Sequence, residues 1–105
     1  MDEHNPAFGK CMIGARFILN RDCLGNKAGA MGYVFNEYQD FDDPTKIGVQ
    51  VIFPNGEYDG FSWTEQQAFL TQAGIEERYT SYRFRNVMQV SRDFADGYWA
   101  FPKEI

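Results

Sequence analysis

Apolar and polar positions alternate with a period of two over residues 47–53, where Ile47, Val49, Val51 and Phe53 are separated by Gly48, Gln50 and Ile52. That is the pattern of a strand with one buried face. The same period predicts a strand over 82–91, with Tyr82, Phe84, Met88 and Val90 on one side and Arg83, Arg85, Gln89 and Ser91 on the other. Residues 15–20 and 33–38 are rich in aromatic and β-branched side chains and carry no helical stripe, which predicts two earlier strands. Pro54-Asn55-Gly56 predicts a tight hairpin, because Asn-Gly accepts positive dihedrals, and Glu57 to Phe61 reads as its short return strand. Asp96-Gly97 followed by Tyr98-Trp99-Ala100-Phe101 reads as one more hairpin and short strand.

A helical period is expected in one place. Ser62-Trp63-Thr64-Glu65 has the form of a capping box, and Gln66, Phe69, Leu70 and Ala73 then share a stripe. The pattern predicts a helix of about three turns from Trp63 to Ala73, with Gly74 ending it in a left-handed cap. Gly29 and Gly32 stand before the second strand, where a side chain would either forbid the dihedral or collide with a neighbour. Residues 1–12 include Pro6 and Gly9, show no periodicity and read as a loosely ordered arm. Ile52 and Val87 fall opposite the main apolar pattern. The outer face of the sheet is therefore expected to be covered in part, by the helix, the tail or a second copy of the chain.

Strand, glycine-rich turn, strand, acidic loop, strand, tight hairpin, short strand, helical segment and final strand follow one another in that order. The order resembles the SH3-like small barrels, including the KOW and Tudor-type modules. The likeness is carried by Gly29-Ala30-Met31-Gly32-Tyr33-Val34, similar to the start of a KOW motif, and by Val49 to Gly56, similar to the central hairpin of such barrels. It spans roughly residues 15–91 and implies a mainly β fold: a strongly bent antiparallel barrel of five to six strands, with one helix before the last long strand. The chain lacks an Ala-Leu-Tyr-Asp-Tyr-like stretch and is acidic where many KOW modules are basic, so neither proline-rich peptide binding nor a ribosomal role is implied.

The length of 105 residues, with 44% apolar and 24% charged, fits one domain able to bury a core without a metal or disulfide staple. Ten Phe, six Tyr and two Trp exceed what a small β core usually holds, so some rings are expected at the surface as contact points. No apolar run is long enough to cross a bilayer, and the first residues are acidic rather than basic and then apolar, which favours a cytoplasmic location and no membrane partner. Cys11 and Cys23 match neither a redox nor a zinc spacing and are expected to be reduced thiols.

The formal charge of −5 disfavours nucleic acid and anionic membranes. Its distribution is uneven, since Arg78, Arg83, Arg85 and Arg92 fall in a segment without acids. Interleaved with Tyr79, Tyr82 and Phe84, they could hold phosphates while the rings stack on bases. The plainer expectation is that they neutralise the acids of 37–43 and 57–59. Tyr38, Tyr58, Trp63 and Trp99 are the candidate rings of a protein-binding patch, with Arg83 and Arg85 as its candidate charges. Asp40, Asp42 and Asp43 lack the further ligands of a calcium loop and read as a solvated acidic loop. His4, the only histidine, lies in the arm, so no histidine triad is assembled; no catalytic residue, metal ligand or cofactor is assigned. The leading expectation is a non-catalytic module binding a protein partner. A nucleic-acid module using Arg83 and Arg85, and a small hydrolase or metal-dependent enzyme, are the alternatives, and a homodimer is left open.

Overall fold

The alternating stretch forms the middle of a sheet. Strand β3 (Ile47–Ile52) pairs on one side with β2 (Met31–Gln39) and on the other with β4 (Tyr58–Phe61), across the turn that Gly56 makes at a φ of 88°. This is a computed structural model, and it describes residues 12–101. Strand β1 (Ala15–Leu19) pairs with β2, and β5 (Leu70–Ile75) returns to pair with the other edge of β1. The fold is mainly β: the described residues form five antiparallel strands in the order β4-β3-β2-β1-β5, with two α-helices. The chain enters β2 through Gly32, where a β-carbon would stand 2.7 Å from the Ile52 carbonyl oxygen and 2.6 Å from a Val51 methyl. Gly29 instead answers a dihedral demand, at a φ of 95° with open space around it.

Both faces of the sheet are covered. Ala15, Phe17, Leu19, Val34, Val49, Val51 and Phe53 form an inner core with Phe61 and Leu70. Tyr33, Phe35 and Ile52 point the other way and are buried under Tyr79, Tyr82, Val90 and Trp99 from the C-terminal third. Of the coverings expected for Ile52, the tail supplies this one. Phe35 occupies the register shift between Val34 and Asn36, with no partner on β3 and its ring fully buried.

The helix α1 (Trp63–Phe69) begins at the expected capping box: Ser62 Oγ accepts the Glu65 N–H at 3.1 Å, and Glu65 Oε1 accepts the Ser62 N–H at 2.9 Å. It is shorter than the stripe suggested. Leu70 still donates its N–H to the Gln66 carbonyl but turns extended, because its side chain belongs to the inner core and the free edge of β1 takes up residues 70–75 as a strand. Gly74, with φ at 96°, sits beside the irregularity in the β1–β5 register rather than capping a helix.

The strand expected over 82–91 is absent. Asn86 Oδ1 accepts the Gln89 N–H at 3.1 Å and starts α2 (Val87–Ala95), which buries Val90 and leaves Met88 71% exposed. Met88 was expected on the dry face. The short strand over 98–101 is also absent: Gly97 closes α2 through an N–H to the Phe94 carbonyl, and side chains anchor the segment that follows. Tyr33 donates its hydroxyl to the Ala100 carbonyl at 2.6 Å, and Ala100 donates its N–H to the Tyr79 hydroxyl at 2.7 Å. Of the N-terminal arm only Met12 lies among the described residues, where its N–H donates to Glu37 Oε2 at 2.8 Å.

Candidate functional site

A cleft of about 240 Å3 opens where the β1–β2 connection, β4 and α1 meet. Leu19, Phe61 and Phe69 give it apolar walls, and Arg21, Asp22, Asp59 and Glu65 give it charge, three acids against one base. The connection is tied down before it reaches the cleft. Asn26 Nδ2 donates to Asn55 Oδ1 at 3.0 Å, and Asn55 Nδ2 donates to the Leu24 carbonyl at 2.8 Å, fastening this loop to the β3–β4 hairpin. Asp22 accepts the Ala28 N–H at 2.9 Å, and that bond, with Lys27 nearby, holds its carboxyl below the ordinary carboxylate value. Arg21 carries its guanidinium carbon 4.7 Å above the Phe69 ring, so the cleft already accommodates one planar cation.

Cys23 lines the same cleft as a free thiol. Burial, and then the Asp59 carboxylate, push its thiol up, with Arg21 opposing in part. It is held protonated, the reverse of an activated nucleophile. Glu65 is engaged in the capping box and Asp59 accepts its neighbour's N–H, from Gly60, at 2.8 Å. The chemistry the cleft offers is attraction for a cation with an apolar stem.

Tyr38 and Trp63 come together at this end of the molecule. The Tyr38 ring lies over Gly48, its hydroxyl comes within 3.5 Å of where a β-carbon on Gly60 would stand, and burial together with Asp40, Glu65 and Asp59 raises that hydroxyl above its ordinary value. Trp63 donates its backbone N–H to Asp40 Oδ1 at 3.4 Å and has Lys46 Nζ 5.1 Å from the centre of its ring. Phe41, a loop ring that the sequence places with Tyr38 and Trp63 in an aromatic patch, is 92% exposed and stands 5.8 Å from Tyr38, ring centre to ring centre. The acidic loop is partly structural, since Asp40 is buried and its Oδ2 accepts the Asp43 N–H at 3.2 Å. Among the described residues no three His, Cys, Asp or Glu side chains converge in a way that could hold a metal ion.

The other named residues lie elsewhere. Trp99 is 5% exposed and packs among Tyr33, Tyr79, Tyr82 and Tyr98, with ring centres 4.7 to 6.1 Å away. Tyr58 is half-buried and meets Phe35 edge to face. Phe84 meets Phe35 from the C-terminal segment, and Arg83 and Arg85 flank Phe84 on the exposed stretch before α2. Among the described residues, Arg83, Arg85 and Arg92 form no ion pair; the pairs there are Lys27 with Asp22 and Arg78 with Glu76. The acids of 37–43 and 57–59 are not neutralised by them. Tyr79 and Tyr82, expected to alternate with these arginines on an open stripe, are 3% and 5% exposed.

Compared with protein-family models, with curated proteins and with solved structures, the chain has no match. Among the described residues no helix is long and apolar enough to cross a membrane.

Proposed function

We propose that the chain is a non-catalytic interaction module on an SH3-like fold, binding a protein partner by taking one of its basic side chains into the cleft beside Asp59 and Glu65. The strand order, with its helix between β4 and β5 and the last strand beside β1, supports the SH3-like reading. The observation that carries the binding reading is the cleft itself, apolar within and acidic at its rim. Its volume falls below the roughly 300–1,000 Å3 of small-molecule and cofactor sites, which suits a single side chain better than a metabolite. Tyr38, Phe41 and Trp63 extend the contact surface at that end of the fold, where rigid aromatic rings bind at low entropic cost.

The protected thiol of Cys23 and the engagement of Glu65 in a helix cap favour binding over catalysis. Selection from a random peptide library on the full chain tests the proposal. Enriched sequences should share an arginine or lysine, and Asp59→Asn with Glu65→Gln should weaken them about tenfold. Enrichment of sequences without a basic residue, or binding unchanged in that double variant, would sink it.

A further inference from the structure

The stretch between Tyr82 and Asn86 pairs with no strand, yet it is held in place. Gln89, in the first turn of α2, accepts the Arg85 N–H on Oε1 at 2.9 Å and donates from Nε2 to the Arg83 carbonyl at 3.3 Å. The backbone carrying both arginines is thus fixed in advance, which lowers the ordering cost of binding. Arg83, Phe84, Arg85 and Gln89 line an open cleft of about 230 Å3 that shares no residue with the acidic one.

Arg83 donates from Nη1 to the Tyr82 carbonyl at 2.7 Å, which uses one of the five N–H donors of its guanidinium. The Arg85 guanidinium has no hydrogen-bond or ion-pair partner among the described residues. Asp93, a turn further along α2, is itself occupied: its Oδ2 accepts the Tyr82 hydroxyl at 2.7 Å and lies 3.5 Å from Gln89 Nε2. In a chain of net charge −5, two arginines on either side of Phe84 and beside one cleft are left without an acid among the described residues.

We propose that this cleft binds the phosphoryl group of a phosphate monoester. Guanidinium forks match the spacing of phosphate oxygens, and a monoester carries up to two negative charges to meet two arginines. The cleft is too small and open to enclose a cofactor, so the phosphoryl group enters and the rest of the ester stays in solvent. A nucleic-acid phosphodiester fits less well, because Tyr79 and Tyr82 are buried and the one ring at the cleft, Phe84, is half-buried against Phe35 and Tyr82, which leaves no row of faces on which successive bases could stack.

Titration of the isotope-labelled full chain, followed by amide chemical shifts, tests this with three probes: inorganic phosphate, blocked phosphoserine and a single-stranded RNA oligonucleotide. The two monoester-type probes should shift the amides of residues 83–89, and Arg85→Gln should weaken both about tenfold while the remaining amides keep their positions. Affinity should fall as pH drops below about 6, where the second phosphate proton returns. Tighter binding of phosphoserine assigns the site to a phosphorylated side chain, and tighter binding of inorganic phosphate assigns it to a free small phosphate. No shift with either probe, equal shifts in the Arg83→Gln, Arg85→Gln variant, or tighter arginine-dependent binding of RNA overturns the proposal.

Discussion

Two glycines in one short segment do different work, and only one of them is about space. At Gly32 the obstruction is partly backbone, the Ile52 carbonyl oxygen, which cannot swing aside as a side chain can. Gly32→Ala must push β2 away from β3, and we expect it to destabilise the fold by about 1–3 kcal/mol, read as a lower urea midpoint at unchanged slope. Gly29→Ala meets no atom and is strained by its dihedral alone. Both demands are legible in the sequence as glycines at the mouth of a strand; which glycine answers which is not, because that depends on where β3 passes.

The elements show where periodicity succeeds and where it misleads. Residues 47–52 alternate and lie in the middle of the sheet, with β2 on one side and β4 on the other, so side-chain pattern and backbone pairing agree. Residues 82–91 alternate just as well, yet five of them belong to α2. The deciding signal was present in Asn86, a capping residue whose side chain accepts the Gln89 N–H as Ser62 accepts that of Glu65, although the Gln89 side chain returns to Arg85 and not to the cap itself. Alternation outweighed it because a two-residue period and a 3.6-residue period coincide over four residues, and Val90 satisfies both. At the other helix, Gln66 shared the apolar stripe for a reason that only the fold supplies. Its Nε2 donates to the Ile47 carbonyl at 2.9 Å and to the Phe61 carbonyl at 3.2 Å, bridging β3, β4 and α1 inside the protein. Gln66→Ala leaves those buried carbonyls without this donor, and we expect it to cost about 1–3 kcal/mol in denaturant unfolding, with the far-ultraviolet spectrum retained.

For the molecule as a whole, the C-terminal third forms a second hydrophobic layer rich in tyrosine. Of the candidate site, the sequence pointed to Tyr38 and Trp63, which gather at one end. It could not separate Trp99 from them, because a ring in an irregular tail looks the same whether it faces water or Tyr33. The second layer also has a pH signature. Burial, and then the hydrogen bond to Asp93, push the Tyr82 hydroxyl well above its ordinary value, and burial raises Tyr33 and Tyr98 as well. An acid whose folded value is raised binds its proton more tightly in the fold. Its contribution is therefore complete below the ordinary tyrosine value of about 10 and is lost as pH rises beyond it. From about pH 7 urea midpoints should hold constant up to about pH 9 and then fall, and Tyr82→Phe should flatten that fall. An equal fall in the Tyr82→Phe variant would locate the sensitivity elsewhere.

The bond from the Tyr33 hydroxyl to the Ala100 carbonyl joins positions 67 apart in sequence. At synthesis rates of about 5–20 residues per second, a nascent chain would wait roughly 3–13 s between making Tyr33 and making its cover. Throughout that interval Tyr33 and Phe35 lack the lid that finally seals them, so this face of the sheet stays unburied until the residues through Ala100 have been made.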